Sequence, residues 1–336
     1  MKNWKLLTVL MAMMLLVLAA CGSKDEAKKE EKDSSTDNKP SETQKEEATA
    51  YPITIPGSTS GEDTFKEVTL DKVPEKVVVF DYGFLDTLDV LGVKVAGVSQ
   101  KSLPKYLSKY ADKSYVNVGA LKEPDFEAIS EMNPDVIFIS GRQAAAYDEL
   151  SKIAPTVYVG TDYTNFLESF KTNTELAGKI FGKEKEVADA ITAYEAKVEE
   201  IKAKTAKSED KALIVLGGEG ALSAYGTGSR FGVIHDIYGV KAADETIKAA
   251  THGDNVSFEY VRDTNPDVLF VVDSDAVRNP NGESGTKAAI ENEIVGATKA
   301  VKNGKVFYLN PETWYLANGG LTSETQKIED VLKAFK

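Results

Sequence analysis

Apolar residues in this chain follow two rhythms beyond position 50. The first is a short, unbroken run rich in β-branched and aromatic residues. Such runs occupy residues 77–80, 136–139, 156–159, 212–216, 268–272 and 306–309. None alternates between apolar and polar, so each predicts a strand buried on both faces, as in a parallel sheet covered by helices. Residues 51–55 and 65–70 predict shorter strands separated by turns. The second rhythm is a spacing of three and four. Between residues 161 and 207 there is no proline and no strand signal, while Leu167, Phe170, Leu176, Ile180 and Phe181, then Val187, Ile191, Tyr194 and Val198, fall on helical faces. Only Gly178 and Gly182 interrupt. This predicts one long helix or a nearly continuous pair, dividing two α/β lobes. The expected boundaries are 51–163 for the first lobe, 164–207 for the linking helix and 208–336 for the second lobe.

An internal repeat supports two lobes. Phe126-Glu127 is followed by Asn133-Pro134-Asp135 and the run at 136–139. Phe258-Glu259 is followed, at the same distance, by Asn265-Pro266-Asp267 and the run at 268–272. Each copy reads as a short helix, a stop and a strand. Asp125 and Ser257 suit the N-cap position. Glu127 and Glu259 fall in the first turn, where the helix dipole favours an acid. The proline disfavours helix at the asparagine before it and ends each helix.

The first 50 residues follow other rules. Lys2 and Lys5 precede an uncharged stretch from residue 6 to 20, which ends in Leu18-Ala19-Ala20-Cys21. This is the grammar of a secretory signal. The stretch falls short of the roughly 20 apolar residues that a spanning helix needs. The cleavage region resembles the lipobox of bacterial lipoproteins. That resemblance implies removal of residues 1–20, lipidation of the Cys21 thiol and attachment to a lipid bilayer. From residue 22 to about 50 the chain is Lys, Glu, Asp, Ser, Thr and Asn, with almost no large apolar side chain. It is expected to be a disordered tether.

Composition narrows the function. The formal net charge of -13 argues against nucleic acid as a partner, while leaving room for a local basic pocket. Cys21 is the only cysteine, so no intramolecular disulfide is available. Two histidines exclude a three-histidine zinc site. There is no G-x-S-x-G elbow and no Walker-type phosphate loop. Gly217-Gly218-Glu219-Gly220 lacks dinucleotide spacing and reads as a plain turn. A binding protein is expected rather than an enzyme.

Ligands of open α/β sheets sit beyond the carboxyl ends of strands. Arg142 follows one such strand in Ser140-Gly141-Arg142-Gln143. Tyr315 follows another, beside Trp314, which either faces the ligand or plugs the core next to the cleft. Arg230 lies in the glycine-rich stretch 226–231, and His252 in Thr251-His252-Gly253. If two lobes face each other, these side chains are placed to converge.

Taken together, Ser140-Gly141-Arg142-Gln143, Ser229-Arg230-Phe231-Gly232 with Ile234-His235-Asp236, Thr251-His252-Gly253 and Trp314-Tyr315-Leu316 resemble the siderophore-binding lipoproteins of bacterial ABC importers. The resemblance covers roughly residues 51–336, and the nearest group takes up ferric catecholates, including petrobactin. It implies a class III substrate-binding fold, with two Rossmann-like lobes joined by a long rigid α-helix. Arg142 and Arg230 would meet the negative charge of the chelate. His252 and Tyr315 would complete iron coordination when a tetradentate siderophore leaves two positions open. Glu127 and Glu259 would meet arginines on the membrane permease. The family's third arginine falls at Ser274 here, and Arg278 lies four residues later. Either Arg278 reaches back, or the pocket prefers a less charged or differently shaped chelate. The resemblance also implies a monomer on the extracytoplasmic face of the cell membrane, with a ferric siderophore as cargo and no cofactor. Heme, cobalamin or another iron chelate is the alternative cargo, and a lipid-anchored enzyme the more distant alternative.

Overall fold

Strands apolar on both faces need cover on both faces, and helices supply it here. The computed structural model describes residues 50–279 and 284–336. The expectations for residues 1–49, including lipidated Cys21, lie outside them. Four short strands open the described chain: β1 (Ile53–Ile55), β2 (Ser58–Ser60), β3 (Asp63–Phe65) and β4 (Val68–Leu70). β1 pairs with β4, and β2 with β3.

The first lobe is built on β5 (Val77–Val79), β6 (Gly97–Val98) and β7 (Val116–Asn117), the small hairpin β8 (Gly119–Ala120) and β9 (Glu123–Pro124), then β10 (Val136–Ile139) and β11 (Thr156–Tyr158). Its sheet runs β11-β10-β5-β6-β7, parallel throughout. Successive side chains leave opposite faces of a strand. Val77, Val79 and Phe138 join Phe84, Leu85 and Leu88 of α1 (Tyr82–Val90) in one core. Val78, Ile137 and Ile139 join Ile129 of α2 (Phe126–Met132) and Leu150 of α3 (Tyr147–Ile153) in another. Both faces are therefore dry, which is why the sequence does not alternate.

The linking stretch resolves into two helices, α4 (Phe166–Phe181) and α5 (Glu184–Thr205). Gly182 ends α4 in the left-handed region at φ 63°, and its N–H bonds Gly178 O. This left-handed cap folds α5 back along α4. Phe170 meets Tyr194 at 4.9 Å between ring centroids, and Lys171 pairs with Glu195. Ala177, Ile180, Val187 and Ile191, near the bend, pack in the first lobe's core. Phe166, Phe170, Val198 and Ile201, at the open end, pack in the second lobe's core. The link is thus a helical hairpin in which the 22-residue α5 is the long member.

The second lobe holds β12 (Lys211–Gly218), β13 (Ala221–Tyr225), β14 (Lys241–Ala242), β15 (Asp254–Val256), β16 (Val268–Asp273) and β17 (Val306–Leu309). The order is β15-β13-β12-β16-β17, with β14 beside the start of β12. Ile214, Phe270 and Val272 face α5 and the last helix; Leu213, Val215 and Val271 face the opposite core. The three predicted runs, β12, β16 and β17, pair in parallel as expected, but the sheet also holds β13, which the sequence reading did not include and which lies antiparallel to β12. The cause is local. Gly218 pairs with Ala221, leaving a two-residue loop of Glu219 at φ 54° and Gly220 at φ 78°. Two left-handed residues make the type I′ turn that matches strand twist. The glycine-rich stretch is a hairpin turn.

The chain then crosses back. After β17 comes a single π-helical turn, Glu312–Leu316, closed by Ala317 N–H to Glu312 O at 3.1 Å. Trp314 packs in the second lobe's core, but Leu316 and Ala317 pack in the first. The span expected at 208–336 therefore contributes to both lobes. Gly83 in α1 permits the crossing, since a Cβ there would lie 1.9 Å from Asn318 O. The final helix, Leu321–Leu332, begins after Gly320, which has no capping side chain. Buried Asp86 of α1 supplies the acceptor instead, taking Ser323 N–H at 2.8 Å and Thr322 N–H at 3.3 Å.

The two repeat copies adopt one geometry. Asp125 caps α2 through Ala128 N–H at 3.0 Å, and Ser257 caps the helix Phe258–Thr264 through Tyr260 N–H at 3.2 Å. Asn133 and Asn265 end these helices in the left-handed region, at φ 49° and 48°. Asp135 then accepts Lys76 N–H at 2.8 Å and Glu75 N–H at 2.9 Å, tying the entry to β5. Asp267 accepts Lys211 N–H at 3.1 Å, tying the start of β12. Among the described residues, no helix is long and apolar enough to cross a membrane.

Both carboxyls lie below the ordinary aspartate range. The Lys76 N–H is the main cause at Asp135. At Asp267 partial burial opposes the shift, and the Lys211 N–H with Lys299 overcomes it. A depressed native pKa adds stability above the unfolded value of about 3.9, and this is lost as pH falls through the native value. The double variant Asp135→Asn/Asp267→Asn should therefore lose stability less steeply than wild type between about pH 4 and pH 2. Urea unfolding across that window measures it, and identical slopes would contradict the role assigned to these carboxylates.

Candidate functional site

Four loops at strand ends aim the expected side chains. Arg142 sits on the two-turn 3-10 helix Gly141–Ala146, directly after β10. Ser140 N–H donates to Gln143 Oε1 at 3.0 Å and fixes this turn. Gln143 in turn donates to Leu121 O, at the tip of the β8–β9 hairpin next to Lys122. Arg230 follows Gly228, whose N–H bonds Asp236 Oδ2 at 2.7 Å; Ser229 Oγ donates to Gly226 O at 2.5 Å. His252 stands just before β15, and Tyr315 rides on the π-helical turn.

Arg142, Arg230, His252 and Tyr315 line one cleft of about 410 Å³. Arg142 Nη2 donates to Tyr315 O at 2.7 Å, and its Nη1 to Leu316 O at 3.4 Å. Arg230 Nη2 donates to the same Tyr315 carbonyl. The guanidinium carbons lie 4.5 Å (Arg230) and 6.0 Å (Arg142) from the Tyr315 ring centroid, within cation–π range. Burial, then the neighbouring Arg230 charge, pulls the Arg142 guanidinium below its ordinary value.

Two polar groups in this cleft have no partner among the described residues. Arg230 Nε and the Tyr225 hydroxyl are buried without a hydrogen-bond partner. Each unmade bond costs about 1–3 kcal/mol. Burial pushes the Tyr225 phenol up to about 12, against the pull of Arg230. The His252 ring and the Tyr315 hydroxyl make no hydrogen bond among the described residues. Nor do the described residues hold a group of three His, Cys, Asp or Glu able to bind a metal ion. The arrangement suits an anionic, oxygen-rich ligand rather than a bare cation.

Several lining residues escaped the sequence reading. Asp81 follows the run at 77–80 and so obeys the same strand-end rule that selected Arg142. It caps α1 by accepting Phe84 N–H at 2.8 Å. Burial raises its pKa, opposed by that N–H, by Ser140 and by the Arg142 charge. Lys122, Tyr158 and Tyr163 also line the cleft. Tyr158 stacks on Phe65 at 4.1 Å and donates to Ser60 Oγ at 2.9 Å, so the opening hairpins form part of the wall. Nothing in the sequence marked those hairpins as cleft material.

Two expectations are corrected. Trp314 is fully buried and does not line the cleft; its Nε1 donates to Asp330 Oδ2 at 3.1 Å within the second lobe. Of the two readings, it is the core plug. Arg278 also lies outside the cleft. Its Nη2 pairs with Glu219 Oε1 at 2.8 Å, on the β12–β13 turn, while its neighbour Val277 packs toward the first lobe's core. Ser274 is buried with its hydroxyl on Gly217 O at 2.8 Å. Glu127 and Glu259 are exposed at equivalent positions in the two repeat copies.

Residues 77–313 match the periplasmic binding protein family, and the chain belongs to it. It is 45% identical over 318 residues to the petrobactin-binding protein YclQ of Bacillus subtilis, spanning 94% of each sequence. The crystal structure of YclQ superposes with a TM-score of 0.80 and 46% identity, covering 85% of this chain and 99% of that one. The ferric-anguibactin-binding protein FatB of Vibrio anguillarum is 33% identical, over 82% of this chain and 87% of its own.

The burial of Trp314 has a measurable consequence. Trp314→Phe removes ring volume and the bond to Asp330, and should destabilise the protein by about 2–4 kcal/mol. The urea midpoint reads this loss, and an unchanged midpoint would return Trp314 to the surface of the cleft.

Proposed function

We propose that this chain is an extracytoplasmic receptor that binds a ferric siderophore of the catecholate class between its lobes and delivers it to an ABC permease for iron uptake. One observation carries the reading. A guanidinium from each lobe converges on one small cleft, and Arg230 Nε is left there without an acceptor. A ferric catecholate brings clustered anionic oxygens. At about 4 Å and an effective dielectric near 20, each charge pair contributes about 4 kcal/mol. Guanidinium remains protonated and offers planar donors to such oxygens. The petrobactin and anguibactin ligands in the relatives' names support this class of cargo. The chain binds and releases it without chemistry.

Three further roles belong to this proposal. Tyr315 and His252, with free donor atoms at the cleft, complete the iron coordination of tetradentate chelates. Glu127 and Glu259, repeated on equivalent exposed helix starts, dock the two lobes onto the permease. Lipidated Cys21 anchors a monomer to the outer face of the membrane through the tether of residues 22–50.

Trp314 is the only tryptophan from Cys21 onward. Titrating ferric catecholates, ferric hydroxamates and heme against its fluorescence should rank the catecholates tightest. Arg142→Ala and Arg230→Ala should each weaken catecholate binding about 10- to 100-fold. Tyr315→Phe should weaken tetradentate complexes more than hexadentate ones. Tighter binding of heme, or arginine variants that bind as wild type, would overturn the assignment, and an equal effect of Tyr315→Phe on both chelates would remove the coordination role.

Docking separates from binding in cells. Glu127→Ala/Glu259→Ala should abolish siderophore-dependent iron uptake while leaving ligand affinity unchanged. Normal uptake by that variant would exclude these glutamates as the docking contacts.

A further inference from the structure

Asp81 sits where a cleft for anions should not place a charge. It is the one carboxylate among the residues lining the cleft, beside the cations Arg142, Arg230 and Lys122. Its capping role does not require that charge, because serine or asparagine caps a helix as well as aspartate does. Burying a carboxylate is costly unless it is paired. Among the described residues Asp81 forms no ion pair; its partners are neutral donors, the N–H groups of Phe84 and Gly83 and the Ser140 hydroxyl. Arg142 does not neutralise it at close range, because that guanidinium donates to the Tyr315 and Leu316 carbonyls. The groups around the acid from other elements are the Ser140 hydroxyl and the Arg142 guanidinium after β10, and the phenols of Tyr158 and Tyr163 around the end of β11. Arg142 is the one cation among them, and its N–H groups are spent on the two carbonyls.

We propose that Asp81 is a specificity-determining residue that receives a cationic N–H group on the organic backbone of the ligand, so that the cleft favours an amine-bearing ferric catecholate over a purely anionic one. The inference rests on the siderophore reading of the same cleft. Arg142 and Arg230 hold the anionic oxygens of the chelate from both lobes. Asp81, on the first-lobe wall, selects what the linker between those oxygens carries. A ligand lacking the cation meets an uncompensated carboxylate and is rejected by it, whereas an ammonium group satisfies both charges.

The test uses two ferric catecholates that differ in one respect: the secondary amines of the linker are free and protonated in one and N-acetylated in the other. Calorimetric titration of wild-type protein should show a preference of about tenfold for the free amine. Asp81→Asn keeps the cap and removes the charge. It should reduce that preference to about twofold or less, partly by improving affinity for the acetylated chelate. Asp81→Ser, which also caps, provides the second variant should asparagine disturb the fold. A preference that survives both substitutions overturns the proposal, as does wild-type protein that does not distinguish the chelates. Failure of wild type to bind either chelate overturns the siderophore reading itself, which separates the two failures.

Discussion

The carbonyl oxygen of Tyr315 is the point on which this structure turns. Arg142 from the first lobe and Arg230 from the second both donate to it. Two guanidinium groups on one oxygen stand no more than about 6 Å apart, where like charges repel by about 3 kcal/mol at an effective dielectric of 20. The shared acceptor and the Tyr315 ring oppose that repulsion. A π-helical turn makes the carbonyl available: its i to i+5 bond uses Glu312 O, and leaves the Tyr315 and Leu316 carbonyls facing the cleft. Isolated π turns recur at functional sites because they free backbone groups in this way.

The arginines stay close only if the lobes stay in register, and three connections hold that register. The α4–α5 hairpin enters both cores, so separating the lobes would expose apolar surface at its bend or at its open end. Asp86 reaches from α1 to cap the final helix, and removing that acceptor would leave two backbone N–H groups unmatched. Buried Lys327 bonds Glu324 Oε1 and Asn318 Oδ1, each at 2.7 Å, directly behind the crossing segment. Burial lowers the Lys327 pKa, with Glu324 opposing the shift. A buried pair of this kind is a weak source of net stability, because desolvation consumes much of its attraction. Its geometric effect is firmer: it pins Asn318, which lines the cleft.

Sequence periodicity reported the layers well because burial on both faces leaves a direct mark. Val77 to Val79 could not be an unbroken run unless helices covered both sides. The repeat was equally legible, since its caps, stop and strand tie are local, and Asn133 and Asn265 adopt nearly the same backbone angles. What the sequence concealed depends on distant partners. Trp314 and Tyr315 are neighbours with opposite fates, one in the core and one in the cleft. The π turn that separates them leaves no signature in composition. Asp81 escaped the sequence reading, because its place in the cleft is visible only once β10 and β11 bring Ser140 and Tyr158 beside it. The fold-back at Gly182 was also hidden, because helical spacing continues on both sides of a bend.

The cleft's charge follows from a packing detail in the second lobe. Ser274 places its hydroxyl on Gly217 O, and a Cβ on Gly218 would fall 2.5 Å from that hydroxyl. Four residues on, Arg278 is drawn to Glu219 because the type I′ turn holds that acid at the lobe's edge. The second lobe therefore gives the cleft one arginine, and the remaining cation among the lining residues, Lys122, comes from the first lobe. Positive charge is thus weighted toward the same wall that carries Asp81. The first-lobe wall of the cleft therefore carries both signs of charge, whereas among the lining residues the second lobe offers Arg230 and no carboxylate.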